Sequence, residues 1–217
     1  MKKFSRIIFM FLLGLFLAAG CVNANPVQAN AATKKSVTTT KKKKVNKKSA
    51  AKKSATKIKK WNLKSLKGLK GIVDQDVLDA FNELGFVVTV DKAEAAQYGY
   101  TGCFSPSRRK IILKKGDTET LLHEIGHFID FITDYPSANK EFTAIYKAEK
   151  KKAKKFYKTP SYTLSSSKEY FAESFNMYYS NPAKLKSNCP KTYKYLEKAI
   201  EAVNDESVAN IKNAFGW

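Results

Sequence analysis

The chain holds two histidines, His123 and His127, and they stand four residues apart with Glu124 beside the first. On an α-helix, positions i and i+4 differ by about 40° in azimuth, so both rings project from one face and can share one metal ion. Imidazole nitrogen is a common zinc ligand. Glu124 lies next to that face, where its carboxylate reaches a water at the ion without itself lying on the ligand axis. The pattern is that of a general base beside a hydrolytic metal, the arrangement used by zinc peptidases. Two ordinary helix histidines would have no reason to fall at this spacing with a glutamate so placed.

With no further histidine, a third ligand must come from Asp, Glu or Cys. A third-histidine arrangement of the metzincin type is excluded, because Asp130 and Thr133 stand where it needs Gly and His. The best carboxylate source is Glu169-Tyr170-Phe171-Ala172-Glu173, with its two glutamates again at i and i+4. One can bind metal while the other orients a histidine ring. The alternative is an ordinary acidic helix surface, and spacing alone leaves both open.

The elements that must hold these residues follow from periodicity. Asp117 and Thr118 can cap a helix through Leu121, Leu122, Ile125, Phe128, Ile129 and Phe131, buried along one side. Val77, Leu78 and Phe81 predict a helix within 73–84, ended by Gly85. Strands are expected at 86–90 and 110–115, the second either at an exposed edge able to pair with an extended substrate or in the sheet interior. Between them, 98–109 is rich in Gly, Ser and Pro and reads as loop or irregular edge. Further helices are expected at 140–157, 168–179 and 192–203, with Pro182 and Pro190 as punctuation. The order is α+β, with a small mixed sheet and a helical C-terminal half.

At 217 residues and 43% hydrophobic content, the chain has room for one ordinary domain, assigned to 61–217. Lys2, Lys3 and Arg6 precede an apolar run over 7–19 that is too short to favour a spanning helix, so 1–31 reads as a secretory signal segment. Cleavage after Ala31 gives a freely secreted product. The alternative is lipoprotein anchoring at Cys21.

The net charge of +21 is unevenly placed: of 40 Lys and Arg, three lie in the signal segment and 13 between Lys34 and Lys60, while all 19 acids follow residue 60. That leaves 24 − 19, or +5, for 61–217. The lysine-rich stretch 32–60 has no aromatic residue and reads as a disordered tether. It is either a solvated spacer or a segment that retains the protein at the cell surface through anionic wall polymers or lipid headgroups. Nucleic acid is not expected as a partner, given export and the lack of interleaved aromatics. Outside the signal segment only Cys103 and Cys189 remain, and the sequence leaves their pairing open. A monomer is expected.

Three pieces of the chain carry a resemblance: Leu121-Leu122-His123-Glu124-Ile125-Gly126-His127-Phe128-Ile129-Asp130, then Glu169-Tyr170-Phe171-Ala172-Glu173-Ser174-Phe175, then Lys184-Leu185-Lys186-Ser187-Asn188-Cys189-Pro190-Lys191-Thr192-Tyr193. From about residue 118 onward the chain resembles the catalytic domain of anthrax toxin lethal factor and the related secreted Pro-Pro endopeptidases. The resemblance implies a zincin-like metallopeptidase domain of the gluzincin kind holding one Zn2+. It maps the third ligand to Glu169, a supporting role to Glu173, and the hydrogen bond to the developing oxyanion to Tyr162. The implied activity is a zinc metalloendopeptidase acting on peptide bonds of extracellular or surface proteins, with proline-rich sites among the candidates. The loop that shapes the proline pocket in the Pro-Pro endopeptidases has no counterpart found between 98 and 115. The competing reading is a cell-wall or surface-binding module with a structural zinc site, which must explain a glutamate base beside a site with room for water.

Overall fold

The protein is described by a computed structural model covering residues 59–61, 69, 72–97 and 99–217. The signal segment 1–31 lies outside the described residues, as does the lysine-rich stretch except for Lys59 and Lys60, which begin the first strand.

Four strands form one mixed sheet in the order β1-β2-β4-β3. β1 (Lys59–Trp61) runs antiparallel to β2 (Val87–Val90), β2 runs parallel to β4 (Lys110–Leu113), and β3 (Gly102–Ser105) runs antiparallel to β4. The β-branched runs of β2 and β4 suit a pleated surface packed on both sides. The strand expected at 110–115 is therefore interior, and β3 takes the edge. That edge strand lies inside the stretch expected to be loop. Gly102 and Ser105 weaken its strand signature, but Cys103 and Phe104 are buried between them.

α1 (Gln75–Glu83) buries Val77, Leu78 and Phe81, and Gly85 ends it with φ of 72°. The short α2 (Lys92–Gln97) follows β2. α3 (Thr118–Ile132) starts where Asp117 accepts a hydrogen bond from Thr120 N at 2.8 Å. Every residue from Leu121 to Ile132 is buried, not only one side as the periodicity suggested. The sheet covers one side of α3 and α6 (Ser167–Ser180) covers the other. At Gly126 the two helices touch backbone to backbone: a Cβ there would lie 2.7 Å from Ala172 Cα and 2.9 Å from its carbonyl oxygen.

The rest of the helical half is α4 (Lys140–Ala153), α5 (Pro160–Thr163), α7 (Pro182–Asn188), α8 (Pro190–Glu201) and α9 (Asp205–Phe215). α4 stops short of 157. Pro182 and Pro190 open helices instead of separating them, since a missing N–H costs nothing at a first helical position. α8 has no side-chain cap from its N-cap residue Cys189. Glu149 of α4 does that work from across the contact. Its carboxylate accepts from Lys191 N at 3.0 Å, Thr192 N at 3.0 Å and Thr192 Oγ1 at 2.7 Å.

One apolar cluster joins the sheet to the helices. Near β3 it is built of rings: Phe86 stacks on Phe104 at 5.5 Å, and Phe81 meets Phe128 edge-on at 5.1 Å. Cys189 is a buried free thiol, so the pairing with Cys103 that the sequence left open is not formed. Among the described residues, no helix is long and apolar enough to cross a membrane.

Candidate metal centre

The site lies between α3 and α6. His123 and His127 sit one turn apart on α3, and their rings are 4.9 Å apart between centroids at 86°. From α6, Glu169 Oε2 comes within 3.2 Å of His123 Nε2 and 3.6 Å of His127 Nε2. One ligand atom from each of the three residues lies within 4.8 Å of the others, a set that can hold a metal ion. Glu169 is third in its helix, where Ser166 caps the first turn by accepting Glu169 N at 3.1 Å. The positive end of the helix dipole favours a carboxylate there.

One turn on, Glu173 Oε2 lies 2.9 Å from His123 Nδ1. That contact fixes the ring and leaves Nε2 turned toward Glu169. The reading of Glu169 and Glu173 as an exposed acidic surface does not hold, since both meet histidine across the helix contact.

The electrostatics are those of several charged groups competing in a buried space. Burial opposes a charge on His123, but the hydrogen bonds to Glu169 and Glu173 and the neighbouring carboxylates outweigh it, pushing its pKa up to about 10. Burial lowers His127 to about 4 despite Glu169. For Glu169, burial opposes the charge, but the hydrogen bonds and charges of both histidines hold its carboxyl well below the usual range. A mixed imidazole and carboxylate set of this kind suits zinc.

Glu124 lies at the border of α3 and the edge strand. Burial pushes its carboxyl up to about 7, with His123 opposing. The nearby backbone N–H of Phe104 favours its charged form, and Gly102 lies against it so closely that a Cβ would sit 2.6 Å from Glu124 Oε1. Tyr162, on α5, is half-exposed, with its ring 6.1 Å from that of His123. Burial and then the charge of Glu169 push its phenol above the ordinary tyrosine value. All six residues singled out from the sequence are therefore brought together.

Others were not foreseen. Tyr100 has a buried hydroxyl without a partner among the described residues, and burial and then Glu169 raise its pKa. Asp130, noted only for excluding a third histidine, is fully buried. It accepts Ser137 N at 2.8 Å and Ser137 Oγ at 2.7 Å, fastening the turn in which Asp134 and Tyr135 both have positive φ. Gly102 had a signal in the sequence, since a glycine inside an apolar strand often marks a close backbone approach.

Residues 62–199 match the family model described as anthrax toxin lethal factor, N- and C-terminal domain. The matched span contains all three donors, Glu124, Glu173, Tyr162 and the edge strand. No curated protein matches the chain.

Proposed function

The chain belongs to the anthrax toxin lethal factor family, and from that premise we propose that it is a zinc metalloendopeptidase with the fold of the zincins. The observation that carries this reading is the convergence of His123, His127 and Glu169 within 4.8 Å beside Glu124, a carboxylate that is not needed as a ligand.

Held by those three residues, zinc supplies a Lewis acid that brings the pKa of water from about 15.7 to near 7 and draws charge from a carbonyl. Glu124 takes the proton of the attacking water and returns it to the leaving amine nitrogen, acting first as base and then as acid. Phe104 N–H favours the charged form of its carboxylate. Tyr162 donates a hydrogen bond to the oxygen on which charge develops. Glu173 holds His123 by Nδ1, so that Nε2 stays aimed at the metal position.

The substrate is an extended peptide, and the protein is exported by residues 1–31, with 32–60 holding it near anionic surface polymers. The alternative, a structural zinc in a binding module, fits less well: structural sites are closed by four Cys or His ligands, and the cluster here has two histidines and a carboxylate.

Glu124→Ala should retain stoichiometric zinc and lose cleavage of a diverse peptide library, whereas Glu169→Ala should lose zinc and cleavage together. Full activity in the first variant, or unchanged zinc affinity in the second by equilibrium dialysis, overturns these roles.

A further inference from the structure

We propose that the edge strand β3 is the positioning device for Glu124, with Gly102 and the Phe104 amide as its two working parts. The proposal rests on the metallopeptidase reading for its kinetic meaning, but its geometry stands apart from it.

Gly102 is not needed for its backbone angles. The described glycines with positive φ are Gly85, Gly99 and Gly216. What Gly102 provides is space. A Cβ built on it would lie 2.6 Å from Glu124 Oε1, 2.6 Å from Thr120 Cγ2 and 3.0 Å from Glu124 Cγ. All are at or below the closest approach that real side chains make, and they belong to consecutive turns of α3. Any side chain at 102 must move the carboxylate or lift the strand from the helix.

Two residues on, the same strand supplies a donor. Thr101 accepts Lys114 N at 2.8 Å, and the register pairs Gly102 with Leu113 and Phe104 with Ile111. In an antiparallel ladder the bonded pairs alternate, so Thr101, Cys103 and Ser105 face β4. Gly102 and Phe104 therefore turn their N–H and C=O away from it. The Phe104 N–H is then free to serve the Glu124 carboxylate, whose charged form it favours.

Lifting the strand is resisted by the ring of Phe104. It stacks on Phe86 at 5.5 Å and lies 6.2 Å from Phe128 and 5.9 Å from Phe131, both on α3. One side chain ties strand to helix, one amide holds the carboxylate, and one missing side chain leaves room for it. Sliding of β3 would disturb all three together.

The test is Gly102→Ala in the full zinc-loaded chain. Zinc affinity and KM should stay within about twofold, while kcat falls about 100-fold, the cost of roughly 1 Å misplacement of a reacting group. In a background of Glu124→Asp with Thr120→Ser the Cβ meets neither Oε1 nor Cγ2, so adding Gly102→Ala should cost less than about fivefold, a coupling that a generally loosened fold would not give. Equal losses in both backgrounds, or an unchanged kcat, overturn the proposal.

The second readout is the Phe104 amide proton by NMR. Its signal should move upfield and exchange faster with solvent in both Gly102→Ala and Glu124→Ala, and an unchanged signal overturns the proposal. If the parent protein cleaves no peptide, the metallopeptidase reading fails, and this amide still decides the positioning claim. Should Gly102→Ala not fold, Glu124→Ala carries the same measurement.

Discussion

Two helix contacts in this protein use glutamate, buried in one and partly buried in the other, and they use it to opposite ends. Between α4 and α8, the Glu149 carboxylate meets three donors, two of them backbone N–H groups at the uncapped start of α8. Among the described residues no other ionisable side chain bonds to it there. Between α3 and α6, Glu169 and Glu173 meet histidine nitrogens, and Glu124 sits nearby. A buried charge whose lone pairs are all met by fixed donors locks geometry. One whose partners can exchange protons, or give way to a cation, provides chemistry instead. The same residue type is a fastener in one contact and, on the proposed function, a reagent in the other.

Removing the fastener should be the costlier change for stability. Glu149→Ala orphans the first N–H groups of α8 and leaves Thr192 Oγ1 with Tyr170 alone, and should destabilise the protein by about 3 kcal/mol in urea unfolding. Zinc affinity of the folded fraction should not change. A loss of metal with intact stability would erase the distinction between the two contacts.

Glu173→Gln is the reverse case. It should weaken zinc binding about 10- to 100-fold, the usual cost of losing a ligand's supporting carboxylate, with little change in unfolding midpoint for the metal-free protein. Competition against a chelator measures the first effect and thermal melting the second.

The smallest expected effect concerns Asp130, which resembles both cases: it is fully bonded to Ser137, yet burial pushes its carboxyl up to about 6. A carboxyl with a raised folded-state pKa favours folding while protonated, and that contribution is lost as pH rises from about 4 through about 6. Asp130→Asn does not titrate. Its melting temperature relative to the parent, with chelator present in both samples, should therefore climb by a few degrees over that window. A flat difference would place Asp130 wholly with the fasteners.

The site was legible because its chemistry is written in local spacing. His123, Glu124 and His127 lie within one turn or so of helix, and Glu169 with Glu173 repeats the device. The burial of α3 on all sides was not legible. Its histidines and acids look like a solvent face until α6, some 40 residues later, closes over them. β3 was hidden by the glycine that makes its approach to Glu124 possible. α7 was missed because Pro182 was read as a break, although proline starts a helix as readily as it ends one. Glu149 and the start of α8 are 42 residues apart, and no local pattern connects them.

The contact at Gly126 bears on which ion the protein can accept. With Ala172 Cα only 2.7 Å from where a side chain would begin, α3 and α6 have no slack along the line that separates their donors. The opening between two imidazoles and a carboxylate is thus set by main-chain packing, not by loops that could relax around a guest. A calcium ion, which gathers six to eight oxygens at about 2.3–2.6 Å, finds one carboxylate in that cluster among the described residues. Small ions that favour nitrogen and accept low coordination numbers are the ones that fit. Discrimination among metals is in this sense a property of one missing methyl group.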